Sequence, residues 1–573
     1  MKKFLKMASP LISFLLFSLF LINSFTYLSA SPRPKDKDLK KKFISGFNLG
    51  LNSPWGQNEG RPEDNNSEIN FALYPDYQIS PVFIPDPVKY QQLADHRPKR
   101  LRASVEFGAM WLTSAINYWS EYSKFLEDWQ YRLNWHDQKI RFFTLKANRF
   151  DTNDFGLNWR HSLAGMLYYE FARSNNLPWW DSLLFSVGGS LAWEYVAEWR
   201  EVISINDNIM TGLGGYVLGE SWFQIGKYFL NSPRGLIRLL GWSNPLLKLN
   251  GWFARHQVIS PYFNPYNYQD QDVFISVGYR NSPTSTSSGN TGNTYFHFGS
   301  RIITDECYGL PGKINETFTS PIYSQLDFSL MYHGQTQEEL ELEAKVVPWG
   351  RLIQNISEDR KGYSLYYGLG SAFLTYVKKP VEDYDAGKVS ILDTAGFHFD
   401  QPRNFRDKLG ATHILGPVFE AKYYFNRWSF RLNGEAYLSF GMINSLALNK
   451  YSLDHDVQGM KTTLTCYGYY YGLGPALGSS AEISYSPVRL TGFVNYVHYR
   501  SIQGLAELQK YITDDSVVKD SRWHSGIQLQ VQLPKTDLSL FSSIEWVRRW
   551  GRLHEVSDHT LETRYYLGLK YNL

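Results

Sequence analysis

The chain has 573 residues, 43% hydrophobic and 16% aromatic, with 58 Lys+Arg against 55 Asp+Glu for a formal charge of +3. So balanced a charge advertises no nucleic acid or other polyanion as partner, and the length suggests more than one domain. Two cysteines, Cys307 and Cys466, make no zinc-like spacing with histidine; we expect them to be separate residues buried in strands.

The first element is an export signal. Lys2, Lys3 and Lys6 precede an apolar run from Leu11 to Ile22, and Ser29 and Ala30 close a small-residue cleavage pattern. Residues 1–30 are therefore set aside as a signal peptide. Residues 31–100 are basic at first and then rich in Pro, Asn and Asp, which reads as an extended periplasmic leader.

From 101 to 249 the apolar spacing is mainly helical. Helices are expected in "SVEFGAMWLTSAINYWSEYSKFLEDWQYRL", in "HSLAGMLYYEFARSNN", from Pro178 and Asp181 onward, and in "IMTGLGGYVLGESWFQIGKYFL", with "KIRFFTLKANRF" as a strand between them. The longest apolar candidate, Ile209–Leu230, is broken by Glu220 and Lys227, so helical membrane spans are not expected. On one helix from Asp181, Glu194, Glu198 and Glu201 would lie within roughly 60° of each other, near the negative end of the helix dipole. Something cationic should offset them: Arg160, Arg173, Arg200, a metal ion or a shared proton. A solvated face or a buried salt-bridge network holding a plug in place is the leading reading of this stripe, with acid/base chemistry and a hard-cation site behind it. Ser204 or Asn206 could cap the next helix, with Asp207 favourably placed in its first turn. Thr211, Gly215, Gly219, Trp222 and Gly226 form a mostly small stripe suited to close packing. "GLGGYVLG" lacks the following Lys-Ser/Thr of a phosphate loop. "DTNDFG" at 151–156 has serine where a calcium loop needs glutamate, and is rejected as such a loop.

From 250 to 573, and clearly after Asp272, the period falls to two. Segments of about ten residues ("VFISVGYR", "VFEAKYYF", "LTGFVNYVHYR") alternate, separated by polar loops such as "NSPTSTSSGNTGN". "YYGLGSA" and "YYGLGPA" look like one barrel element used twice. The last strand has Tyr571, Leu569, Leu567 and Tyr565 on one face and Asn572, Lys570, Gly568 and Tyr566 on the other. The fold class expected is mainly β: an antiparallel transmembrane β-barrel of roughly 12 to 14 strands, with an N-terminal aromatic-rich helical module. Its place is the outer membrane, its partners the lipid and, through the last strand, the outer-membrane assembly machinery.

The helical motifs resemble a known family. "NDFGLNWRHSLAGMLYYEFARSN" and "SLAWEYVAEWREVISINDNIMTGLGGYVLGE" are similar to the domain-of-unknown-function family numbered 3943, at Asn158, His161, Gly165, Tyr168, Tyr169, Trp193, Glu194, Tyr195, Glu198, Ser204, Asp207, Thr211, Gly214, Gly215, Gly219 and Glu220. Ser162 stands where the family has proline. The resemblance implies a bacterial outer-membrane protein and carries no activity with it.

Two functions follow. In the first, the helices plug the barrel lumen or its periplasmic mouth, in a structural or transport-related role. In the second, the protein is a membrane-embedded hydrolase or transferase for lipid or envelope glycan. There His161, Glu194, Glu198 and Asp207 would serve as acid/base groups and Ser204 as nucleophile. No cofactor is expected. An adhesin would rest on the polar loops alone.

Overall fold

A computed structural model describes residues 97–120, 130–254, 271–282, 292–378 and 407–573, apart from a few single positions, together with a hairpin of Val389–Leu392 and His398–Gln401. The expected signal peptide and nearly all of the leader lie outside the described residues. The helices of the first half are α1 (Arg100–Ser120), α2 (Trp135–Phe143), α3 (Phe155–Arg173), α4 (Trp179–Ala192), α5 (Ile205–Ile209), α6 (Gly215–Leu230), α7 (Gly235–Leu239) and α8 (Pro245–Ala254). Thirteen strands follow: β1 (Asp272–Asn281), β2 (Gly292–Ile303), β3 (Gly312–Phe318), β4 (Tyr323–His333), β5 (Thr336–Ile356), β6 (Lys361–Lys378), β7 (Asp407–Phe425), β8 (Trp428–Asn444), β9 (Tyr469–Tyr485), β10 (Val488–Ser501), β11 (Val518–Gln532), β12 (Leu538–Leu553) and β13 (Val556–Asn572). Two further helices, α9 (Leu446–Asp454) and α10 (Thr462–Tyr467), interrupt the chain between β8 and β9.

All strands but β3 form one closed antiparallel ring of twelve, in chain order, and β13 returns to β1 with Tyr571 opposite Ile275. β3 only extends the wall, pairing with the far end of β5 beyond a bulge at Val347–Pro348. Proline fits a bulge because no ladder bond is asked of its nitrogen. At one rim the chain reverses in short turns at 426–427, 486–487 and 533–537; at the other lie the loops 445–468 and 502–517. We call these the turn end and the loop end.

Because side chains alternate along a strand, register fixes which face each occupies. Tyr565, Leu567, Leu569 and Tyr571 point outward, Arg564, Tyr566 and Lys570 inward, as the sequence alternation requires. The outward set is exposed, with Leu567 at 63%. The inward set crosses the lumen in a charged layer. Glu339 sits between Arg280 at 2.6 Å and Arg564 at 3.1 Å, Lys378 binds Glu562 at 2.6 Å, and Asp407 binds Arg549 at 2.7 Å and Arg522 at 3.1 Å. Toward the loop end this layer is roofed. α9 and α10 fold into the mouth, where Leu448, Met460 and Leu464 share one core with the inward side chains Leu409, Ile443, Tyr499 and Leu553. Toward the turn end a polar cavity of about 400 Å³ remains, lined by Asp272, Asp327, Glu343, Glu482 and Lys570 among others.

The first-half helices are not in the lumen, which corrects the plug expectation: they pack on the outside of the wall. Met210 reaches Thr412, and Phe150 stacks on Phe440 and Tyr471 with ring centroids 5.7 and 5.0 Å away. Phe229 meets Phe298, and the Ser221 hydroxyl donates to the Gln325 carbonyl at 3.0 Å. Thr412, Phe440, Tyr471 and Phe298 all belong to outward-facing positions by register. The expectation failed because it asked for apolar length, whereas these helices hide their polar groups between one another and turn apolar side chains out. Among the described residues no helix is long and apolar enough to cross a membrane.

Three local expectations also change. "KIRFFTLKANRF" begins as the end of α2, whose start is capped by Asn134 accepting from the Asp137 amide, passes through a 3-10 turn at Leu145–Ala147, and is strand only at Asn148–Arg149. The helix from Trp179 turns into a π-helical turn at Trp193–Ala197 and stops, so Glu194, Glu198 and Glu201 do not share an α-helical face. Cys307 lies exposed in a turn and Cys466 within α10, neither in a strand.

Candidate functional site

The small stripe seen in the sequence sets the geometry. α3 and α6 approach so closely that a Cβ at Gly165 would lie 1.8 Å from the Thr211 carbonyl oxygen, and one at Gly215 2.4 Å from the Gly165 carbonyl carbon. Gly219 sits under the Tyr169 ring in the same way. A π-helical turn at Met210–Gly214 links α5 to α6, and such bulges re-aim the residues before them. A two-residue parallel ladder, Asn148–Arg149 against Ile203–Ser204, then brings the loop after α2 beside the start of α5.

The result is a buried polar cluster. Ser204 caps α5 by accepting from the Asp207 amide at 3.1 Å and donates to Asn206 Oδ1 at 3.0 Å. Asn206 Nδ2 donates to Asp151 Oδ1 at 2.8 Å and to Asn158 Oδ1 at 2.6 Å. Tyr471, from the barrel wall, donates to Asn158 Oδ1 at 3.2 Å. His161 Nε2 stands 3.3 Å from Asp207 Oδ1, but is not aligned for a hydrogen bond. Glu194 accepts from the Ser204 amide at 2.7 Å, while Glu198 turns to the Trp193 indole N–H at 2.7 Å. His161, Glu194, Ser204 and Asp207 are thus linked through one network, and Glu198 is held apart by Trp193.

Burial governs the ionisation of these groups. It lowers His161, with Asp151 opposing. It raises Asp207, helped by the charges of Asp151 and Glu194, and raises Glu194 and Glu198, which also repel neighbouring carboxylates. Burial therefore works against charge on both His161 and Asp207 where they meet. That is an arrangement able to hand a proton across 3.3 Å once a third group aligns the two.

A cation does stand beside these acids, but it meets their main-chain carbonyls and not their carboxylates. Arg141 of α2, fully buried, donates to the carbonyls of Glu194 at 2.6 Å, Glu198 at 3.0 Å, Glu201 at 3.0 Å and Tyr195 at 3.2 Å. It caps the C-terminal end of α4 and its π-helical turn, where orphan carbonyls and the dipole both call for positive charge. Arg173 serves elsewhere, binding Glu220 at 2.8 Å. Next to it Glu170, with one carboxyl oxygen on Asn244 at 3.0 Å and the other buried without a partner, is pushed up to about 8, chiefly by burial. Among the described residues no group of three or more His, Cys, Asp or Glu side chains stands where it could hold a metal ion.

Sequence reasoning missed Asp151, Tyr471 and Arg141 as members, and named Asn206 only as a possible cap. Only "DTND" gave a signal, and it was tested against the wrong template, a calcium loop.

Residues 147–242 match the model of a family described as domain of unknown function (DUF3943). No curated protein matches the chain. Among solved structures, the chain is similar to a loop-deletion mutant of OmpT, an outer membrane protein of Vibrio cholerae, at 6% identity and a TM-score of 0.21, over 53% of this chain and 99% of that one. It is also similar to the translocator domain of the autotransporter NalP from Neisseria meningitidis, at 8% identity and a TM-score of 0.18, over 57% and 96%. A third is the β domain of the Bordetella autotransporter BrkA, at 11% identity and a TM-score of 0.18, over 53% and 99%. Likenesses this slight say nothing of activity. The helices that build the polar cluster match the DUF3943 model over residues 147–242 and are seated on the outside of a twelve-stranded barrel.

Proposed function

We propose that the protein is an integral outer-membrane barrel, closed to the passage of solutes, whose wall anchors the DUF3943 helices. The observation that carries this is the lumen: an ion-paired layer around Glu339 lies beneath a hydrophobic roof made by α9 and α10, while the outer face is apolar. The barrel acts as a scaffold and anchor. Outer-membrane lipid surrounds it, and β13 is the strand offered to the outer-membrane assembly machinery. Planar-bilayer recording tests the closed lumen. The full chain should show no conductance steps. A variant with residues 446–467 replaced by a Gly-Ser linker and Arg564→Ala should show them. Steady conductance from the full chain would overturn this reading.

A second reading, a hydrolase or transferase acting on lipid or envelope glycan, is favoured by the unaligned His161–Asp207 contact. Such contacts tighten when a substrate binds. Outer-membrane lipid and glycan incubated with the purified protein, then read by mass spectrometry, would show a new product that His161→Gln abolishes. Unchanged lipid and glycan would dismiss it.

A further inference from the structure

The helices carry a surface that no other part of the described chain covers. On α1, Leu101 (80% exposed), Val105, Leu112 and Ile116 (69%) are spaced so that they share a stripe roughly 60° wide. On α4, Trp180, Leu184 and Leu191 repeat the first three of these offsets. α7 adds Leu236 at 82%. The nearby charges are paired off: Arg100 with Asp181 at 2.8 Å, Arg102 with Glu106 at 2.8 Å. This is the reverse of a water-soluble helical domain, in which polar groups lie outside and apolar groups within.

The wall beneath says what covers this surface. The helices sit on outward-facing strand positions, and the same strands expose apolar side chains beside them. Leu473 is two residues along β9 from Tyr471, on which Phe150 stacks, and Leu438 is two residues along β8 from Phe440. The apolar belt of the barrel is therefore continued by apolar side chains on the outer surface of the helices. At the turn end, Tyr228 of α6 donates to the Leu573 carbonyl at 2.8 Å, and Arg234 binds Asp537 in the turn between β11 and β12 at 2.8 Å. At the other extreme Phe150 is fastened near the loop end through the Leu505 carbonyl. The helical layer thus spans the height of the belt without any single helix crossing it.

We propose that the outer surface of the DUF3943 helices is bathed by the acyl chains of the membrane, so that α1, α4 and α7 are intramembrane helices lying against the barrel wall. Helices can do this because their backbone hydrogen bonds are satisfied internally, whereas irregular backbone in hydrocarbon must be covered by protein. The buried cluster around Asp207 is then reached from lipid or along the wall. The inference rests on the reading of the barrel as membrane-embedded.

The test uses nitroxide labels on Leu112→Cys and Leu184→Cys in the full chain, with Cys307→Ser and Cys466→Ser as background. The protein is reconstituted into vesicles of phosphatidylethanolamine and phosphatidylglycerol. Leu567→Cys on β13 reports the barrel belt. All three labels should collide several-fold more with oxygen than with a water-soluble nickel chelate. Nickel-accessible helix labels beside an oxygen-accessible belt label would overturn the proposal. So would helix labels shielded from both reagents and cross-linked between copies, because a second chain would then be the cover. A nickel-accessible belt label would instead sink the membrane-barrel reading itself. Should a labelled variant fail to fold, quenching by brominated acyl chains that falls on Trp180→Phe reports the same contact in the otherwise unaltered chain, and no fall would overturn it.

Discussion

Arg141 holds four main-chain carbonyls with one guanidinium, and none of its partners is a carboxylate side chain. Arg141→Ala should cost about 3 kcal/mol, because several buried acceptors lose their donor together. Arg141→Lys should rescue little, since an ammonium cannot fan out over the same four oxygens; pulse proteolysis of the helical layer would measure both. Gly165→Ala forces a methyl onto the Thr211 carbonyl, a backbone atom that cannot rotate away. We expect a loss of about 3 kcal/mol by the same assay, at the upper end of what overpacking costs. Glu170 gives a pH dependence with a definite sign. Its ordinary value of 4.5 is raised to about 8 by burial, so the folded state keeps a proton that the unfolded chain releases. That contribution is complete below pH 4.5 and disappears as pH rises to about 8. The protection of the α3 amides, once exchange is corrected for its own base-catalysed rise with pH, should therefore fall between pH 5 and pH 8, and Glu170→Gln should flatten the change.

At the scale of elements, the barrel was legible and the helical layer only partly so. The alternation of β13 placed Leu567 and Leu569 outside and Lys570 inside, because a two-residue period admits one answer once a face is apolar. Ser204 as a cap and the small stripe on α6 were legible for a similar reason: both are short-range rules. The π-helical turn at Trp193–Ala197 was not. It inserts an extra residue per turn, held by Arg141 from another helix, and no local pattern announces a distant donor. The location of the helices was not legible either, since an amphipathic stripe says that one side is buried without saying which side faces water. The roof of the lumen went unread because "LALNKYSLD" is too weakly amphipathic to announce a helix, and "TTLTCY" runs into "GYYYGLGPAL" and reads as the start of that strand. At this scale Phe150→Ala is informative. It removes the stack on Phe440 and Tyr471 that fastens the loop of Asp151 to the wall, at a cost of about 3–5 kcal/mol. Proteolysis of residues 144–154 should speed up while the barrel stays intact.

For the whole molecule, the charged layer couples strands three and four places apart around the ring. Glu339 of β5 binds Arg280 of β1 and Arg564 of β13, all three almost fully buried. Glu339→Ala would remove the anion that Arg280 and Arg564 share, leaving Arg564 its ion pair with Glu562 at 3.1 Å, which costs about 3–5 kcal/mol. The folded band on an unheated gel should then convert to the unfolded one at a lower temperature. A variant that converts like the parent would show that the layer is not structural.

The Tyr228 hydroxyl rests on the carbonyl of Leu573, whose own amide is bonded to Val273 of β1. One helix thus touches the seam where the two ends of the ring meet. A force that peels α6 from the wall is delivered first to that seam, and a strain in the seam is felt first in α6. Helical layer and barrel are in this sense a clasp and its hoop: neither opens without loading the other.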